Sequence, residues 1–115
     1  MSKKEIKLNY EKAIRQAERL ETIGREVNNM ANNDYENTLN GIAASWTGEN
    51  SAAYLDKAKQ LKAKMLTTGK NLLLVADEIR RKARRIFDAE MAALELAESR
   101  TYAGGGSGGG GGSAW

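Results

Sequence analysis

The stretch Ser45-Trp46-Thr47-Gly48-Glu49-Asn50 decides how this chain folds. On both sides of it the sequence keeps a helical rhythm, with no proline anywhere to interrupt it. Here the rhythm lapses, and the lapse holds a glycine and the only tryptophan apart from the C-terminal Trp115. Gly48 supplies a residue that tolerates positive φ, and Asn50 or Ser51 can cap a following helix. A turn over about residues 45–50 between two long helices sends the second back along the first.

Toward the N-terminus the chain predicts one helix over about 3–44. Ser2, with Glu5 three residues on, has the spacing of a capping box. Apolar or small residues then recur at Ile6, Tyr10, Ala13, Ala17, Leu20, Gly24, Val27 and Ala31, in steps of four and three. Such a sequence of steps keeps one stripe of a helix facing one neighbour. Ile14, Ile23, Met30 and Tyr35 widen the stripe. The run Asn28-Asn29-Met30-Ala31-Asn32-Asn33-Asp34 lowers helix propensity, so fraying or a bend is expected there.

Toward the C-terminus a second helix is predicted over about 51–101. Its seam can be followed through Tyr54, Ala58, Leu61, Met65, Leu72, Val75, Ile79, Ala83, Ile86, Ala93 and Ala97. The run Leu72-Leu73-Leu74-Val75-Ala76, at 100° per residue, points all around this helix, and one neighbouring helix cannot cover it. A two-helix hairpin also encloses too little core to offset its chain entropy well. The expected fold is therefore all-α: an antiparallel hairpin over 1–103 that dimerises into a four-helix bundle. Leu72, Leu73, Leu74, Val75 and Ile79 form the expected dimer or partner interface.

Composition narrows the function. The 115 residues include no His, Cys or Pro, with 29% charged and 6% aromatic residues, which suits one small helical domain. Without His or Cys the commonest general base, thiol nucleophile and transition-metal ligands are missing, and the carboxylates lie scattered along rods. No enzymatic activity, cofactor, metal or small-molecule substrate is expected. The start, Met1-Ser2-Lys3-Lys4-Glu5, has basic residues but no apolar run behind them, unlike a cleaved secretory signal, and no stretch approaches membrane-spanning length.

A Trp-x-Gly turn, Trp46-Thr47-Gly48, at the centre of a cysteine-free helical hairpin of about a hundred residues with no signal peptide resembles the WXG, Esx-like family of small type VII secretion proteins. The resemblance covers everything but the glycine-rich end. It implies hairpins that pair head to tail, as homodimers or heterodimers, and that leave the cytoplasm of Gram-positive bacteria without a cleaved signal through a type VII membrane ATPase. The implied partners are a second WXG-like hairpin or the helical N-terminal domain of a larger effector, whose export this chain would assist. Trp46 is then either a recognition residue or, more simply, a plug at the end of the bundle.

The family's second signal is a C-terminal Tyr-x-x-x-Asp/Glu, and no tyrosine here obeys it. A looser pattern of a hydrophobic residue, an acid and two apolar positions can be laid on Ile86, Glu90, Ala93 and Ala97. These four fall close to one helical face, where a docking domain could read them together. Otherwise they merely continue the seam, with Glu90 at its solvated edge.

From Lys57 to Arg85 basic residues outnumber acidic ones ten to two, and Arg80, Arg81, Lys82, Arg84 and Arg85 are the densest part. Such a rod fits a solvated face or an acidic partner helix. A cytoplasmic adaptor binding nucleic acid or anionic membrane is the alternative function. No aromatic residue interleaves the run for base stacking, which weighs against nucleic acid. Residues 104–115, glycine and serine but for Ala114 and Trp115, are expected to be a disordered tail, native or an artificial linker.

Overall fold

A computed structural model of the chain describes residues 1–104, and all of its regular structure is helical. Helix α1 spans Lys3–Met30, a π-helical turn spans Ala31–Tyr35, α2 spans Glu36–Ser45 and α3 spans Glu49–Gly104. The predicted tail lies outside the described residues except for Gly104, which closes α3. The chain divides into two compact units: unit 1, Met1–Arg15 with Ile79–Trp115, and unit 2, Gln16–Glu78.

At the start of α1 the Ser2 half of the capping box forms, while the Glu5 side chain meets the Ser2 hydroxyl rather than its backbone amide. The Glu5 amide donates to the Ser2 hydroxyl, which in turn donates to the Glu5 carboxylate, both at 3.2 Å. The amide of Ile6 donates to the Ser2 carbonyl at 3.0 Å, so donors left over at the helix start are satisfied locally.

Unit 2 is an antiparallel helical pair. Gly24 of α1 meets Gly69 of α3, Tyr35 reaches Ala58, and Glu36 pairs with Lys62. The two backbones come so close at the first of these points that a Cβ added to Gly24 would lie 2.9 Å from the Gly69 carbonyl oxygen. A side chain at Gly24 fits only if the backbones shift.

The Asn-rich segment does not fray. It takes a π turn, and the sequence shows why. After Ala31 the inward positions are Tyr35, Leu39 and Ile42, so two successive steps of four carry the stripe away from its face. One extra residue wound into a π turn brings it back. The payoff is local. Leu39 is buried, and the Tyr35 hydroxyl, from the turn itself, donates to the Ala58 carbonyl of α3 at 2.9 Å.

In unit 1, the start of α1 packs antiparallel on α3. Ile6 is almost wholly buried, and the Tyr10 and Phe87 rings lie 4.9 Å apart between centroids at a 33° tilt. Aromatic pairs at such separations add about 0.5–1.5 kcal/mol to the area the rings bury.

The predicted α1 stripe is the observed one: Ile6, Ala17, Gly24 and Ala31 are buried, and Tyr10, Ala13, Leu20 and Val27 half-buried. The α3 stripe is corrected. Of its residues Ala83 is buried and Ala58, Met65, Leu72, Ile79 and Ala93 are half-buried, but Tyr54, Leu61, Val75, Ile86 and Ala97 are exposed. Ser51, Gly69 and Ala76, which it missed, are buried, and Leu55, Lys62, Leu73 and Phe87 half-buried. The observed seam of α3 thus keeps about half of the predicted one and adds small residues beside it.

Candidate functional site: the hairpin turn and the exposed apolar side

The break between α2 and α3 is shorter than expected, only Trp46 to Gly48. Trp46 ends α2 in an extended conformation, φ −122° and ψ 114°, with its amide donating to the Ile42 carbonyl at 2.8 Å. Gly48 then takes φ +125°, a value L side chains rarely adopt, as the turn requires. Helix α3 begins at Glu49, before either predicted cap. Ser51 does not accept from a helix-start amide; its buried hydroxyl donates back to the Gly48 carbonyl at 2.7 Å, and the Ala52 amide donates to the same oxygen at 3.2 Å.

Trp46 leans on Tyr54, centroids 5.6 Å apart, yet stays 45% exposed. One part of its ring therefore packs within unit 2 and the rest faces outward. Tyr54 is itself 64% exposed, so the turn presents two large aromatic surfaces side by side.

The expected interface residues divide. Leu73 is committed within unit 2, its Cδ2 beside Gly24, and Leu72 is half-buried at the same crossing. Leu74 and Val75 are exposed, and in unit 1 Ile79 is half-buried. A pattern missed in the sequence is clearer. In unit 2 the exposed Ile23, Met30, Tyr54, Leu61 and Val75 each stand one residue before an inward position: Gly24, Ala31, Leu55, Lys62 and Ala76. Each is turned about 100° back from the seam on its own helix. Because the two arms run in opposite directions, equal backward turns bring both sets to the same side of the pair. Unit 2 therefore carries one side with large apolar groups 44–64% exposed.

In unit 1 the positions of the loose C-terminal pattern do not form one exposed edge. Ile86 and Ala97 are exposed, while Ala93 and Glu90 are half-buried. Glu90 is not at a solvated edge. Its Oε2 is buried with no hydrogen-bond partner, and the residue lines a cavity of about 180 Å³.

The basic run is not a bare cationic strip. Arg84 donates to the Asp88 carboxylate, 3.2 Å away, and its guanidinium stands 5.6 Å from the Phe87 ring centroid. A hydrogen bond to the Tyr10 hydroxyl, then the charge of Asp88, raise its pKa above the ordinary arginine value. Arg80, Arg81 and Lys82 each have partners as well. Among the described residues no group of three acids converges as a metal site, and no helix is long and apolar enough to cross a membrane.

No protein-family model, curated protein or solved structure matches this chain. The likeness carried by Trp46-Thr47-Gly48 therefore rests on those residues and their setting.

Proposed function

We propose that this chain is a non-enzymatic WXG-type secretion protein that pairs, through the apolar side of unit 2, with a second helical hairpin. The second hairpin is another copy or the helical head of a larger effector. The pair leaves a Gram-positive cytoplasm by the type VII route, with its membrane ATPase as the docking machine. The observation that carries this reading is the apolar side itself, Ile23, Met30, Tyr54, Leu61 and Val75 beside a half-exposed Trp46. Large apolar groups gathered on one side mark a docking surface, whereas the same residues scattered singly would mean nothing. A second hairpin laid on that side completes a four-helix bundle.

The reading separates pairing from export. Leu61→Asp puts a charge at the middle of the apolar side, so sedimentation should show the pair dissociating while each chain keeps its helical circular dichroism. Trp46→Ala, which removes a partly exposed ring, should leave both helicity and pairing in place and abolish secretion from a Gram-positive host. A wild-type chain that melts cooperatively as a monomer of about 12.6 kDa at micromolar concentration would refute the pairing. Undiminished secretion of Trp46→Ala would refute the role given to the turn.

A further inference from the structure

The unused feature of the molecule is the cavity in unit 1, between the start of α1 and the far part of α3. Its walls include Ile6, Asn9, Tyr10, Ile86 and Phe87, and Glu90 stands among them. At about 180 Å³ it is smaller than the roughly 300 Å³ at which small-molecule sites begin, and it suits a single side chain.

The chemistry of the walls says which kind of side chain. Glu90 Oε2 is buried, without a hydrogen-bond partner among the described residues. A carboxylate oxygen withdrawn from water and left unpaired is costly, and that cost is recovered only when a donor, best a cationic one, reaches it. The helix does not supply one. Three and four residues from Glu90 stand Phe87, Ile86, Ala93 and Leu94; across the cavity the Asn9 amide donates to Met1 Sδ at 3.5 Å, and Arg84, beside the Phe87 ring, is paired with Asp88. An incoming lysine or arginine would lay its alkyl stem along Ile6, Ile86 and Phe87 and bring its charged end to Glu90.

We infer that this cavity is a socket for a lysine or arginine side chain of a second copy of the chain, with Glu90 as its anchor. The inference rests on the pairing proposed above and adds a specific contact to it. A second copy offers such cations: besides Lys62, Arg80, Arg81, Lys82 and Arg84, which have partners of their own, Lys57, Lys59, Lys64, Lys70 and Arg85 stand in the same stretch. The exposed Ile86 leaves one wall open to solvent, from which the side chain enters.

Self-association of the full chain tests this by sign. Wild type, Glu90→Gln and Glu90→Leu are compared by sedimentation equilibrium, with circular dichroism confirming that all three are helical. If Glu90 holds a cation, both variants weaken association about tenfold or more, the scale of a hydrogen bond to a charged group. If Glu90 is merely a misfit in an apolar groove, Glu90→Leu associates as tightly as wild type or more tightly, which overturns the inference. A wild type that never associates refutes the pairing. The socket is then read with n-butylguanidinium: saturable shifts of the Tyr10 and Phe87 ring resonances, absent in Glu90→Gln, support it, and no shift in the wild type overturns it.

Discussion

Replacing glycine by alanine at two helical positions of unit 2 should move stability in opposite directions. In a helix interior the change ordinarily gains about 1 kcal/mol, because alanine surrenders less backbone entropy. At Gly41, in α2, an added Cβ meets nothing within 4 Å, so Gly41→Ala should realise that gain and raise Tm by about 4–8 °C. At Gly24 the same atom would lie 2.9 Å from the Gly69 carbonyl oxygen and 3.2 Å from both Leu72 Cβ and Leu73 Cδ2. The first of these is backbone and cannot rotate away. The arms must separate, and overpacking of this kind costs about 1–3 kcal/mol. Subtracting the propensity gain leaves Gly24→Ala between neutral and about 2 kcal/mol destabilised. The two variants should therefore differ by about 1–3 kcal/mol. Urea melts followed by circular dichroism measure the difference, at one fixed protein concentration because pairing shifts the apparent stability. Equal stabilisation by both substitutions would refute the close crossing of the arms at Gly24 and Gly69.

Two further substitutions probe the turn and the π segment by the same melts. Gly48→Ala meets no atom within 4 Å but must hold φ +125°, so it should cost about 1 kcal/mol or more from backbone strain alone, and no loss would mean the turn relaxes to negative φ. Tyr35→Phe removes only the hydroxyl that donates to the Ala58 carbonyl and should cost about 1 kcal/mol; a neutral result would show that the π turn is not secured by that bond.

The two arms were not equally legible. In α1 the three-four spacing named all the buried residues from Ile6 to Ala31 and most of the half-buried ones, because the inward positions there include Ile6, Tyr10, Leu20 and Val27; it missed the half-buried polar Glu21 and Asn28. The turn was legible for a different reason. Glycine at Gly48 is the one residue type that takes the required φ without strain, so the sequence could place it without any knowledge of packing. Its neighbours were harder to place, since a serine near a helix start reads as a cap by type, while Ser51 spends its hydroxyl on the Gly48 carbonyl. The π turn announced itself only as weak propensity. Its signal was the doubled step of four from Ala31 through Tyr35 to Leu39.

The α3 seam failed at Tyr54, Leu61, Val75, Ile86 and Ala97, for a physical reason that also explains the candidate site. Where two helices approach closely, the inward positions must be small, and Ser51, Gly69, Ala76 and Ala83 are the buried ones. Large apolar residues are then displaced to the neighbouring positions, and a reading weighted by hydrophobic size follows them instead. Tyr54, Leu61 and Val75 thus formed a convincing stripe on the wrong face. Apart from the contact of Tyr54 with Trp46, that stripe is left largely exposed after the arms of unit 2 have packed. The same substitution logic therefore tells the two faces apart: adding bulk at Gly69 or Ala76 should separate the arms, while adding charge at Leu61 or Val75 should leave them packed and disturb only what docks from outside.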